Sequence, residues 1–266
     1  MTQAPVSVSL VIIAKNEERT IGKVIDAAKE LVTEIIVVDS GSSDKTCEIA
    51  SERGARVIFQ EWLGYAAQKN FAIDQAQGDW ILSLDADEIL SPALVEEIKQ
   101  LVASPGFAQF DGYKIPRVLY IGEKAVLHGG FYPDAQLRLI KRGAGRFGDR
   151  LVHEAIKMDG PKAVLKNHMD HYSYRTVDDF AQAMEKYARL SAKEFYGRIE
   201  SGRAKPGFRT SLLNLFLHPY WTFFQRFVLR GGFKDGSLGL KLALIYSDYV
   251  RKKILYLREL LSGGTG

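Results

Sequence analysis

The chain has almost no cysteine: one residue, Cys47, among 266. A single thiol excludes an intramolecular disulfide framework and a cysteine-based zinc site, and it points to a reducing compartment. No stretch reaches about 18 uninterrupted apolar residues, which argues against a simple membrane-spanning helix. Met1–Pro5 carries no basic cluster ahead of an apolar run, so no secretory signal is expected. Two phosphate-binding signatures are also missing. No Gly-x-Gly-x-x-Gly follows the first apolar run, which argues against a dinucleotide enzyme, and there is no Gly-x-x-x-x-Gly-Lys-Ser/Thr loop. Phosphates must then be held by a metal rather than by a glycine cradle. Internal repeats and low-complexity segments are absent.

What is present is an ordinary globular composition, 46% apolar and 26% charged, which excludes a disordered chain. At about 150 residues per domain, the length allows one large α/β domain with an appendage or two small domains. The net charge of +4 hides a split. Residues 1–180 hold 21 Lys+Arg and 26 Asp+Glu, a net of −5; residues 181–266 hold 15 and 6, a net of +9. An acidic body with a basic tail suggests that the tail meets something anionic.

Hydrophobic patterning gives the organisation. Residues 6–14 and 34–38, then 55–60, read as buried strands, and a fourth strand runs through DWILSLDADEIL into acidic residues. Between them lie helical segments at 19–31, 46–53 (stopped by Gly54) and 65–76; Ser91-Pro92 opens another that continues to about Val102. This alternation predicts an α/β fold with a mostly parallel, doubly wound sheet. Residues 105–175 read as mixed strands and loops, and helical character dominates from Val177. The expected domains are a catalytic one over 1–178 and a helical, basic and aromatic tail over 179–266.

Ligands of open α/β sheets bind beyond the carboxyl ends of strands. Three polar clusters sit there: Lys15-Asn16-Glu17-Glu18, Asp39-Ser40-Gly41-Ser42-Ser43-Asp44, and Asp85-Ala86-Asp87-Glu88. Residues two apart on a strand share a face, so Asp85 and Asp87 are expected to point to one place, and their mutual repulsion is relieved by a cation. Mg²⁺ suits such a pair, because it takes one or two carboxylates plus substrate phosphates. Asp39 can accept hydrogen bonds from a uracil ring or a ribose, and Gly41 allows close approach of the chain.

The stretches SLVIIAKNEERTIG, EIIVVDSGSSDKT, GYAAQKNFAID and WILSLDADE resemble the family 2 glycosyltransferases, which have the A-type nucleotide-sugar fold. Within that family the chain looks most like the bacterial lipopolysaccharide-core and cell-surface glucosyltransferase branch, with a QLRLIKR-like strand, a Val-His-Glu segment and a long helical tail. The resemblance implies an inverting hexosyltransferase that uses a UDP-linked sugar donor, UDP-glucose first, with Mg²⁺ or Mn²⁺. It implies a glycan or glycolipid acceptor such as lipopolysaccharide core. Carried onto this chain, Ala14 and Glu17 lie beside the nucleotide and Asp39 meets the base. Lys69 approaches the diphosphate or uracil, or is a solvated helix residue. Asp85 faces ribose and metal, and Asp87 is the principal metal ligand.

The acceptor-activating base is expected at Glu154, with Asp134 and Asp149 in reserve, although the family's usual Glu-Asp pair is absent; Glu154 could instead pair with Arg138 or Arg150. His153 orients the site or lines the acceptor pocket. One of His168 and His171, with His171 preferred, completes the metal shell or is a packed histidine. Tyr172 and Arg175 cover the diphosphate. Gln136 and Arg138 share a strand face that meets either the site or water. Other readings are a sugar-phosphate nucleotidyltransferase, which the Lys15–Glu18 sequence disfavours, and a non-catalytic membrane-associated scaffold.

The tail holds eight aromatics over residues 208–233, interleaved with basic residues, and Pro219 is expected to interrupt any straight helix. Such a segment can lie in a bilayer interface, or cap the catalytic domain or a partner subunit of a homo-oligomer. The expected location is cytoplasmic, peripheral at the inner face of the cell membrane. No nucleic-acid-binding motif is found.

Overall fold

The computed structural model describes residues 6–148 and 155–263. In chain order the first elements are β1 (Val8–Ala14), α1 (Ile21–Ala28), β2 (Glu34–Asp39), α2 (Thr46–Glu52), β3 (Arg56–Phe59) and α3 (Tyr65–Asp74). Next come β4 (Trp80–Asp85), β5 (Glu88–Leu90), α4 (Pro92–Val102), β6 (Gly112–Ile115), β7 (Arg117–Ile121), β8 (Lys124–Val126) and β9 (Gln136–Lys141). The remainder are β10 (Arg146–Phe147), β11 (Ile156–Lys157), β12 (Lys162–Val164), β13 (Met169–Tyr174), α5 (Val177–Glu200), α6 (Leu212–Phe224) and α7 (Gly236–Leu261). The chain forms two units: Met1–Val118 with Pro133–Tyr172, and Leu119–Tyr132 with Ser173–Gly266.

The first unit is built on a seven-stranded sheet in the order β12-β6-β9-β4-β1-β2-β3. β1 pairs parallel with β2 and β4, and β2 with β3, whereas β9 runs antiparallel to β4 and β6. Both faces are covered, as the near-continuous apolar strands require. Leu10 and Ile12 of β1 join α1 (Ile21, Val24, Ile25) and α4 (Leu94, Ile98) in one core. Val11 faces the other way and joins Ala72 and Ile73 of α3, with Ile36, Val38 and Ile81. The strand period of two thus divides β1 between two cores. α4 begins where its sequence predicts: Ser91 Oγ accepts from Leu94 N at 3.2 Å, and proline stands at the first turn. Gly54 ends α2 with φ +85°, a conformation that favours glycine.

Two expectations are corrected here. The strand from Trp80 does not continue through DADEIL. It stops at Asp85, a two-residue turn follows, and β5 then pairs antiparallel with β13, matching Glu88 to His171. Asp87 therefore lies in the turn, and strand alternation does not set its direction relative to Asp85. The helix over 65–76 ends earlier, at Asp74.

The second unit gathers Ile121, Val126, Phe180, Leu238 and Leu242 into its core. α5 opens with a capping box, in which Thr176 Oγ1 accepts from Asp179 N and the Asp179 carboxylate accepts from Thr176 N. Here too one expectation fails: α6 runs through Pro219. An internal proline costs about 3 kcal/mol in a helix. It is offset by packing of the helix against α7, where Ser247 Oγ also donates to the Pro219 carbonyl at 2.8 Å. A wide π-type turn, Gln225–Leu229, follows directly.

Candidate active site

Strand register assembles the site in the first unit. Ala14 stands beside Asp39, and Ile13 beside Asp85, so the carboxyl ends of β1, β2 and β4 converge on one sheet edge. Asp39 and Asp85 are separated by two strand spacings, about 10 Å.

The loops after β1 and β2 are bolted together. Ser43 N donates to Asn16 Oδ1 at 2.8 Å, Asn16 N to Ser42 Oγ at 2.9 Å, and Glu17 N to Thr46 Oγ1 at 2.7 Å. Asn16 adopts φ +58°, a left-handed conformation that asparagine tolerates better than most residues. Asp39 is buried and shapes its own loop. Its Oδ2 accepts from Gly41 N at 2.8 Å and Ser42 N at 2.9 Å, and its Oδ1 from Ser42 Oγ at 2.5 Å. Gly41 has φ +88°, so this turn uses the freedom of glycine directly. Burial and the Asp39 carboxylate together push the Cys47 thiol pKa up.

α3 supplies two adjacent residues. Gln68, fully buried, donates to Ser40 Oγ at 3.1 Å. Lys69 is buried rather than solvated, with Nζ 2.5 Å from Asp85 Oδ1. The second Asp85 oxygen takes Arg138 Nη2 at 2.7 Å, and the same nitrogen reaches Glu88 Oε1 at 2.6 Å. Burial opposes ionisation of Asp85, but Arg138 and Lys69 outweigh it and hold its pKa well below the usual carboxylate range. Arg138 is 4% exposed, so its strand face meets the site and not water. Gln136, half-buried, donates to Asp134 Oδ1 at 2.6 Å.

Asp87 Oδ2 lies 3.4 Å from His171 Nε2. Its carbonyl accepts from Tyr172 N at 2.9 Å, so β13 holds the turn from the other side. His168 stands apart, half-exposed, with Nε2 3.5 Å from Asp170 Oδ1. Among the described residues no group of three His, Cys, Asp or Glu side chains could hold a metal.

The structure thus brings Ala14, Asp39, Lys69, Asp85, Asp87, Arg138 and His171 to one edge, with Glu17 in the adjoining loop. Asp134 is taken by Arg117, at 2.5 Å from its Nη2. Arg175 lies in the second unit. Asp149, Arg150, His153 and Glu154 lie outside the described residues. Sequence reasoning named Glu88 within the third polar cluster but gave it no role; it is fully buried between Arg117 (3.0 Å) and Arg138 and also accepts from Asp85 N at 3.1 Å. Gln68 was given no role either. The signal available for Glu88 was its place next to the Asp-x-Asp motif.

Comparison with known proteins agrees with this architecture. The family model described as glycosyl transferase family 2 matches residues 9–146. An uncharacterized glycosyltransferase of Rickettsia felis is 31% identical over 264 residues, 96% of this chain and 90% of the relative. The lipopolysaccharide core biosynthesis glycosyltransferase LpsC of Rhizobium meliloti is 30% identical over 253 residues, 91% and 88% of the two chains. Among solved structures, the mannosyltransferase PcManGT of Pyrobaculum calidifontis, in complex with GDP-Man and Mn²⁺, superposes with a TM-score of 0.53 at 16% identity, covering 98% of this chain and 88% of that one. The chain belongs to glycosyltransferase family 2. It is a glycosyltransferase with the A-type fold, which sets aside the nucleotidyltransferase and scaffold readings.

Proposed function

We propose that this glycosyltransferase is metal-dependent and inverting. In this reading it moves a sugar from a nucleotide-diphosphate donor, UDP-glucose first, to a lipid-linked cell-surface glycan such as lipopolysaccharide core. It works at the inner face of the cell membrane, with residues 1–178 catalytic and the tail meeting the membrane or a second subunit.

The observation that carries the reading is the Asp87–His171 pair beyond the carboxyl end of β4. Neighbouring ligands on a Mg²⁺ or Mn²⁺ ion lie about 3 Å apart, and the 3.4 Å between Asp87 Oδ2 and His171 Nε2 fits that spacing. Two protein ligands suffice where diphosphate oxygens fill the remaining positions. A bound ion would neutralise charge on the leaving diphosphate. The name of the Rhizobium relative supports the acceptor class, and the ligands named with the Pyrobaculum structure support a nucleotide-sugar donor with a divalent metal.

The chain's own residues orient the donor. Asp39 keeps lone-pair capacity for a base or ribose beyond its three loop bonds. Lys69 and Arg138 hold Asp85 ionised and fixed toward the ribose. Ala14, Glu17 and Gln136 line the donor. Glu154 removes the acceptor hydroxyl proton as that oxygen attacks the anomeric carbon.

The test is UDP or GDP release from a panel of nucleotide sugars by the purified chain, across a Mg²⁺ and Mn²⁺ series. The expected result is metal-dependent turnover of a UDP-sugar, with Glu154→Gln slowed and its UDP affinity nearly unchanged. Turnover that ignores chelation, or loss of UDP affinity in Glu154→Gln, counts against the reading.

A further inference from the structure

α6 is built inside out. Asn214, Pro219 and Thr222 turn inward, as does Arg226 in the π-type turn that follows, each at most 9% exposed. The outward residues are large and apolar: Leu213, Phe216, Leu217, Tyr220, Trp221 and Phe224 are 45–76% exposed. Their spacing is a helical stripe, and a surface helix in water ordinarily shows the opposite arrangement. The inward polar groups are well placed. Arg226 Nη1 donates to the Gly129 carbonyl at 2.8 Å, and its guanidinium lies 3.3 Å from the centre of the Tyr246 ring. The outward stripe is therefore not a core face turned the wrong way. A contiguous exposed apolar patch of this kind marks an interaction surface.

Charge selects the partner. Residues 201–234 contain six Lys and Arg and no Asp or Glu, and α6 itself carries none of the four. Arg203 and Lys205 are exposed before the helix, Arg230 and Lys234 after it. A second copy docking through a two-fold axis would place these cations against themselves. An anionic bilayer pairs with them, and tryptophan and tyrosine favour its headgroup level. Thirteen residues at 1.5 Å each span about 20 Å, short of the roughly 30 Å hydrocarbon core. Among the described residues, no helix is long and apolar enough to cross a membrane.

We propose that α6 docks flat on an anionic lipid bilayer, with its Leu213–Phe224 stripe at the headgroup–acyl boundary and the flanking cations on lipid phosphates. This rests on the membrane part of the reading above and not on its donor chemistry.

The test is flotation of the full chain with phosphatidylethanolamine vesicles containing phosphatidylglycerol, against vesicles of phosphatidylcholine alone. The chain is expected to float with the anionic vesicles and to release at high salt. Binding should fall about tenfold or more in the Phe216→Ser/Trp221→Ser variant, whose changes are exposed. The charge-reversed Arg230→Glu/Lys234→Glu variant should weaken it independently. The inference is overturned if the wild-type chain does not float, or if both variants float undiminished. It is also overturned if sedimentation shows a dimer that the apolar double variant dissolves while vesicles are ignored. Donor turnover measured in the same samples separates the two failures: a chain that cleaves UDP-glucose but ignores vesicles loses the α6 and membrane assignments and keeps the donor chemistry.

Discussion

Arg138 of β9 reaches Asp85 at the end of the neighbouring strand β4, with Nη2 2.7 Å from Oδ2. The same guanidinium nitrogen bonds Glu88, so one side chain clasps both ends of the turn that carries Asp87. Repulsion within the acidic cluster is thereby relieved in part by the protein's own cations, not left entirely to a bound ion. Removing Arg138 would leave Asp85 with Lys69 alone and the fully buried Glu88 with Arg117 alone. Arg138→Ala should cost about 3–5 kcal/mol, the range for breaking a buried ion pair. Urea unfolding followed by circular dichroism checks this.

The depressed pKa of Asp85 has a signed consequence. Burial raises it, and Arg138 and Lys69 lower it by more. An aspartate with a lowered folded pKa contributes stability above its unfolded value, about 3.9, and loses that contribution as pH falls through the folded value. Lys69→Met removes one of the two cations. Its acid-unfolding midpoint should therefore lie at higher pH than that of the wild-type chain, by an acid titration of the far-UV signal from neutral pH downward.

Much of this was legible in the sequence. The apolar run VSLVIIA is the buried strand β1, and Ser91-Pro92 is the start of α4. The convergence of three strand-end loops followed from parallel strands joined by helices. The break at Asp85 was not legible, because Asp85-Ala86-Asp87 alternates as a strand does and apolar Ile89-Leu90 follow; β5 leaves the main sheet to pair with β13, more than 75 residues away. Glu88 was hidden for the same reason: its guanidinium partners lie 29 and 50 residues downstream. At Pro219 local propensity said break, and packing on α7, a contact distant in sequence, carried the helix through.

Cys47 offers a direct probe of the loop after β2. Its thiol pKa is pushed up by burial and by Asp39, and the thiolate is the reacting species. Iodoacetamide at neutral pH should label the native chain about tenfold more slowly, or slower still, than the urea-unfolded chain. Equal rates would contradict the placement of the thiol beside Asp39.

The cap of α4 gives a fold-level check away from the site. Ser91→Ala removes the side-chain acceptor for Leu94 N and should lower stability by about 1 kcal/mol. Donor turnover per folded molecule should not change.

Asp87 and His171 are proposed to bind a divalent ion together with a nucleotide diphosphate. Calorimetric titration of UDP into the purified chain, with Mn²⁺ and with chelator, tests it most directly. The expected result is binding that requires Mn²⁺ in the wild-type chain, is abolished in Asp87→Ala and is weakened in His171→Ala. UDP binding of equal strength in chelator, or Mn²⁺-dependent binding retained in full by Asp87→Ala, would contradict it.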